Sequence, residues 1–184
     1  MADRHLDRAL DAYLAAAARA GDQTAQRDLV KRWQPRLSAH AWRLLGEADA
    51  ARDVVQEAWA RIVPGLGRLK DDYAFPAFAY QIVTRCCAAA IADKRRRRAL
   101  GEAVAAEPEP ETADPDRAAD LDRTRRAVAA LPADQRAAIA LFHFEGLSVA
   151  ETAAALDVPA GTIKTRLMHA RLKLRAMLQG GADE

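Results

Sequence analysis

The chain lacks most of what would mark a secreted, membrane-borne or catalytic protein. Its two cysteines are neighbours, Cys86 and Cys87. Adjacent cysteines rarely close a strain-free bridge, so no disulfide framework is expected, and a reducing cytoplasm is the expected setting. With no His or Cys partner at ligand spacing they suggest no metal site. No apolar run approaches the length of a bilayer span. The N-terminal stretch "MADRHLDRALDAYLAAAARAGD" is broken by charges and has no signal-peptide core, so no membrane insertion is expected. No Gly-rich phosphate loop, nucleophile elbow or pair of catalytic carboxylates stands out, so neither an enzyme nor a cofactor is expected. β-Branched residues are sparse, whereas Ala, Leu, Arg and acids dominate the 184 residues, a composition that favours helix. Net charge is only +2, so the distribution of charge says more about partners than its sum.

That distribution divides the chain. From 99 to 120 it holds Glu102, Glu107, Glu109, Glu111, Asp114 and Asp116 among Pro108, Pro110 and Pro115. Prolines at this density prevent a regular helix, and charge nearly all of one sign favours an extended or disordered linker. One helical domain is expected over 1–98 and a smaller one over 121–184.

In the first domain Leu29, Val30, Trp33, Leu37, Ala41, Leu44 and Leu45 keep a helical period, with Pro35 expected at a bend or break. After a turn at Gly46 comes a helix with Val54, Val55, Ala58, Trp59, Ile62 and Val63 on one face. Asp53, Gln56, Glu57 and Arg61 lie on the other, and Pro64-Gly65 ends it. A third stripe is Phe75, Phe78, Ala79, Ile82, Val83, Cys86 and Ala90. Tyr80, Gln81, Thr84, Arg85 and Ala88 are expected on the opposite, exposed side, and Cys87 is expected to be partly exposed. The helix runs into the basic stretch from Asp93 to Arg98, which contains Lys94, Arg95 and Arg96.

In the second domain Leu121–Leu131 and Asp134–Phe144 read as two helices separated by Pro132. Ser148 with Glu151 three residues on is a capping-box pattern, opening a short helix through Leu156. Asp157-Val158 is a turn, and Pro159 suits a helix start. In the last helix Ile163, Leu167, Ala170, Leu174 and Met177/Leu178 recur at steps of four and three, so they face inward. Lys164, Thr165, Arg166, Met168, His169 and Arg171 lie in its N-terminal half, and the helix carries Lys173 and Arg175 further on with no acid. Two helices, a tight turn and a cationic second helix form a helix-turn-helix. Such a helix fits a major groove, where Lys and Arg neutralise phosphates or donate to guanine edges. Of the four histidines only His169 suggests a role, in DNA contact.

The string from Leu131 to Leu174, "LPADQRAAIALFHFEGLSVAETAAALDVPAGTIKTRLMHARLKL", resembles region four of bacterial sigma factors of the extracytoplasmic-function group. "LLGEADAARDVVQEAWARIV" and "FPAFAYQIVTRCCAAAIADKRRRR" resemble region two of the same group, in the right order. The resemblance implies an all-α protein that binds core RNA polymerase, directs it to promoters and helps to open the duplex. It implies that Asp53, Gln56, Glu57 and Arg61 meet the clamp helices of the polymerase's largest subunit, and that region four meets the flap of the second subunit. The loop 67–74, Tyr80, Gln81, Thr84 and Arg85 would read the melted −10 strand, with Lys94, Arg95 and Arg96 on phosphates. Lys164, Thr165, Arg166, Met168, His169 and Arg171 would read the −35 duplex. An anti-sigma factor is a usual partner in the family. The acidic linker would either occupy a cationic polymerase channel in place of RNA or serve as a plain tether. Two departures stand out: Arg85 where the family often has Asn, and Phe78 where it often has Trp.

Two other functions compete. A stand-alone helix-turn-helix regulator would bind its operator without polymerase; the "DVVQE" helix argues against it. A decoy that only sequesters an anti-sigma factor would have no use for the intact cationic helix. The chain stops shortly after that helix, so no appended sensing domain is expected.

Overall fold

The computed structural model describes residues 2–100 and 123–179, with side chains from residue 5 onward. The expected linker therefore lies almost wholly outside the described residues. Helix α1 spans Ala2–Arg19, α2 Gln23–Leu45 and α3 Ala48–Gly65. Two 3-10 turns, Leu66–Arg68 and Asp72–Ala74, lead into α4, Phe75–Ala99. The second unit has α5 at 123–129, α6 at Ala133–Ile139 widening into a π turn at Ala140–Phe144, α7 at Val149–Leu156 and α8 at Ala160–Gln179. Among the described residues there is no strand.

Local chemistry sets the boundaries. Asp22 caps α2 by accepting from the Thr24 and Ala25 N–H groups at 2.8 and 3.1 Å. Gly46 closes α2 in the left-handed region, φ 76°, a conformation that costs glycine little. Pro35, expected at a bend or break, instead sits inside the continuous α2. Leu29, Trp33, Leu37, Ala41 and Leu44 are all buried along that helix, and their packing outweighs the one backbone hydrogen bond the proline forfeits. Ser148 and Glu151 form the full capping box, with bonds of 2.8 and 3.2 Å. A Cβ on Gly65 would lie 2.7 Å from the Phe78 ring, so this glycine lets α3 and α4 close on each other.

The first core is built on Trp33, whose ring meets Phe75 and Tyr80 edge-on at 5.1 and 5.5 Å. Its indole N–H donates 3.0 Å to the buried Asp11, which also holds Arg32 at 2.6 Å. A smaller core joins Leu131, Ala138, Ile139, Ile163, Leu167 and Ala170 in the second unit. The two units pack on each other. Ala137, Ala140, Leu141, Leu147 and Ala155 of the second continue the core of the first, and α7 lies along α4.

The packing around α4 corrects three expectations. Tyr80 is buried, 2% exposed, because the second unit covers its side of α4. Thr84 is half-buried, its hydroxyl 2.9 Å from Nε2 of the fully buried His40. Cys87 is buried like Cys86; burial raises both thiols, Cys87 to about 12, so neither is a reactive thiolate. One stretch, Asp72–Ala99, is after all long and apolar enough to cross a membrane, with a mean hydropathy of 1.3 over its best window. Here its apolar residues, including Phe75, Ala79, Tyr80 and Val83, pack in the first core.

Candidate nucleic-acid and polymerase interface

Three surfaces hold the charged residues singled out by the sequence. The first is the N-terminal half of α8. Burying Ile163, Leu167 and Ala170 turns Lys164, Thr165, Met168 and His169 outward, all exposed. Thr165 donates 3.1 Å back to the Gly161 carbonyl, which holds its side chain against the helix. Arg166 behaves differently. It is half-buried and paired with Asp134 of α6 at 3.2 Å, so it ties α8 to the helix behind it. Arg171 is exposed but leans on the π turn, 3.2 Å from His143 and 5.7 Å from the Phe142 ring centre. Desolvation, then the Arg171 charge, holds His143 below its usual pKa, so the ring stays neutral beside the guanidinium. The Met168 side chain is 51% exposed.

The second surface is on α4. Gln81 and Arg85 lie on the expected side, but neither is free. Gln81 donates 3.2 Å to the Ala154 carbonyl of α7, and Arg85 pairs with Asp157 at 3.0 Å. Further along, Lys94 pairs with Glu47 before α3, and Arg96 and Arg97 pair with Asp93 at 3.7 and 2.8 Å. Arg95 through Arg98 are exposed. In the loop ahead of α4, Tyr73 is 61% exposed, while Arg19 pins the loop by donating 2.8 Å to the Leu69 carbonyl and pairing with Asp72 at 3.1 Å. The third surface is the outer face of α3, where Asp53, Gln56, Glu57 and Arg61 are all exposed and Arg61 pairs with Glu57 one turn away. Val54, Val55, Ala58 and Ile62 are buried on the other side, so the 3.6-residue period places these four polar residues together.

A duplex-sized cationic helix on one unit and an exposed polar helix face with a basic tail on the other point to nucleic acid and a protein partner together. The family model for Sigma-70 region 2 matches residues 29–97, and that for Sigma-70, region 4 matches residues 121–174. Over 171 residues the chain is 32% identical to the ECF RNA polymerase sigma factor SigM of Mycobacterium tuberculosis, covering 91% of this chain and 84% of that one. The chain is an extracytoplasmic-function sigma factor. It is thus a specificity subunit for transcription initiation and not an enzyme. This sigma factor is also 31% identical over 173 residues to the ECF RNA polymerase sigma-E factor of Escherichia coli K12, covering 88% and 90% of the two chains. Among solved structures, CnrH in complex with the cytosolic domain of CnrY is similar over 95% of this chain and 99% of that one, at 27% identity and a TM-score of 0.71. RpoE of Bartonella quintana in complex with the anti-sigma factor NepR is similar over 83% and 96%, at 26% identity and a TM-score of 0.66.

The sequence reading missed the polar cluster between the units. Glu145, which follows the π turn, accepts from the Tyr80 hydroxyl at 2.6 Å and from Arg43 at 2.5 Å, with His40 Nδ1 3.8 Å away. Its side chain is only 7% exposed. Burial pushes its carboxyl above the ordinary range, while the Tyr80 hydrogen bond and the Arg43 and Arg36 charges pull it down. The same burial, reinforced by Glu145, raises the Tyr80 phenol, so the hydroxyl remains a donor. A lone acid following the stretch "ALFHF" was the only signal in the sequence.

Proposed function

We propose that this sigma factor reads its promoter at two places while held to polymerase at two more. The exposed Lys164, Thr165, Met168 and His169 on α8 contact the −35 duplex in the major groove. Arg166 and Arg171 add phosphate contacts once they leave their present partners. Gln81 and Arg85 on α4, with the Tyr73 loop, meet the separated −10 strand, and Lys94, Arg95 and Arg96 follow its phosphates. Tyr80 and the Thr84 hydroxyl have structural roles instead. Asp53, Gln56, Glu57 and Arg61 meet the clamp helices of the largest polymerase subunit, and the second unit meets the flap of the second subunit. The protein works in the cytoplasm, and its activity is restrained by an anti-sigma factor. The similarity to RpoE in its complex with the anti-sigma factor NepR, at a TM-score of 0.66 over 83% of this chain, supports that last point.

The observation that carries the reading is the acid-free α8, which presents four exposed side chains able to contact a groove behind a fully formed capping box. The test is run-off transcription on genomic fragments with core polymerase, with and without the purified protein. New start sites sharing an upstream element are expected. A start-site pattern unaltered by the protein, together with tight operator binding in the absence of polymerase, would favour a stand-alone regulator instead.

A further inference from the structure

We infer that the free chain is latched shut by Glu145, and that this closure hides the face of α4 assigned above to the −10 strand. The inference rests on that assignment and extends it to regulation.

The occlusion is direct. Gln81 and Arg85 are the two polar residues of that face, and both are bonded to α7, the first helix of the helix-turn-helix. A strand could reach them only after α7 has left. Geometry requires it to leave in any case. The −10 and −35 elements are 25 base pairs apart by their names, and at about 3.4 Å per base pair that is about 85 Å of duplex. Arg85 on α4 and Asp157 in the helix-turn-helix are 3.0 Å apart. A chain closed in this way cannot span both elements, so the closed form and the promoter-bound form are different states.

The contacts that hold the closed form differ in kind. Arg85–Asp157 is exposed, with side chains 61% and 75% accessible, and pairs of that sort contribute little. Glu145 is the buried one, and two groups from the other unit donate to it. Arg43 also lies 4.8 Å over the Phe144 ring, and Arg136 of α6 donates 3.2 Å to the Leu44 carbonyl at the end of α2. From α1, Arg8 holds the capping-box residue Glu151 through two bonds, the longer 3.1 Å. Around them Leu141, Leu147 and Ala155 are buried against the first unit. An acid inserted into an otherwise apolar joint specifies one docked arrangement, yet it keeps the joint from becoming irreversible, because its charge is readily solvated when the units part.

The test uses the full chain. In Glu145→Ala the Tyr80 hydroxyl and the Arg43 guanidinium lose their acceptor, and only separation returns them to water. Small-angle X-ray scattering should show a larger radius of gyration at unchanged helical content. Binding of a single-stranded oligonucleotide with the non-template −10 sequence of a mapped promoter should tighten about tenfold, as expected if the open fraction rises by that factor. Asp157→Asn removes only the charge of the exposed pair and keeps a side chain that tolerates the left-handed turn at φ 54°; it should move both readings the same way by less. If Glu145→Ala loses helix, Glu145→Gln, which keeps an acceptor for the Tyr80 hydroxyl but removes the charge that holds Arg43, decides. Unchanged size in the folded variants overturns the latch. Expansion without tighter oligonucleotide binding overturns the occlusion. An error in the −10 assignment itself shows separately, as an Arg85→Glu holoenzyme that opens its promoter normally.

Discussion

The two faces proposed to read nucleic acid are held in opposite states. On α8, Lys164, Thr165, Met168 and His169 are exposed to solvent, while on α4, Gln81 and Arg85 are bonded to another part of the same chain. The cause is where the acids lie. α8 has none of its own, and the nearest on α6, Asp134, takes up Arg166 alone. α4 has acceptors waiting on α7 and just after it, the Ala154 carbonyl and Asp157. On the proposed assignments, duplex readout is built into one unit, whereas strand readout is coupled to the separation of two. A protein arranged in this way cannot engage a melted strand before something else has opened it.

The largest effect expected from breaking this contrast is at the open face. Lys164→Glu replaces an attraction to phosphate or guanine with a repulsion, and promoter-specific initiation should fall about tenfold or more, since a good base contact alone is worth about 1–3 kcal/mol. Co-purification with core polymerase should be unchanged; full run-off activity would remove α8 from recognition. Next comes the joint. Leu141 is completely buried where the units share a core, and Leu141→Ala should cost about 2–5 kcal/mol. All three tryptophans, Trp33, Trp42 and Trp59, lie in the first unit. Urea unfolding followed by tryptophan fluorescence should shift to lower urea if the units unfold together. An unshifted curve would mean that they do not.

A third effect is a dependence on pH. His40 is fully buried, and desolvation, followed by the Arg43 charge, lowers its pKa from 6.5 to about 3. Between those values the unfolded chain holds a proton that the folded chain does not, so stability is full above about 6.5 and falls with acidification by up to about 1.4 kcal/mol per pH unit. Facing His40 are Thr84, Tyr80, Arg43 and Glu145. Glu145, with its pKa raised, acts in the opposite sense, because its contribution is full below the ordinary carboxylate range and lost as pH rises. From pH 7 to pH 5 the net loss attributable to His40 is about 2 kcal/mol. Denaturation midpoints for His40→Gln should be flatter across that range; an equal slope would place the titration elsewhere.

What could be read from the sequence was what neighbours decide. The Ser148–Glu151 box, the Gly46 stop and the buried steps at Ile163, Leu167 and Ala170 in α8 each depend on residues within a turn or two, and each is present as expected, whereas Met177, expected to face inward, is 41% exposed where α8 runs past the second core. The face of α4 was misread at Tyr80 and Cys87 because its surroundings come from far along the chain: Glu145 is 65 residues from Tyr80 and 102 from Arg43. Helical period tells which residues share a side. It does not tell how many sides are covered, and α4 is covered on two. Pro35 erred in the other direction, since a local rule predicted a bend and the packing of Trp33 and Leu37 on either side of it kept α2 continuous.

The smallest expected effect tests the contrast inside α8 itself. Arg166 lies among the exposed residues proposed for recognition but is turned back to Asp134, with side chains 24% and 49% accessible. A pair this open is worth less than about 1 kcal/mol, so releasing it for a phosphate costs little. If Arg166 swings to the DNA, Arg166→Ala should reduce the slope of log affinity against log salt by about 0.9 for the holoenzyme on a duplex −35 probe. Asp134→Ala should then tighten binding slightly by freeing the guanidinium. If Arg166 instead stays on α6 in the bound state, the salt slope is unchanged, and both substitutions lower the melting temperature by similar small amounts. The two results separate a cation that reads from one that braces, a distinction that α8's sequence, where Arg166 stands one residue from Thr165, cannot express.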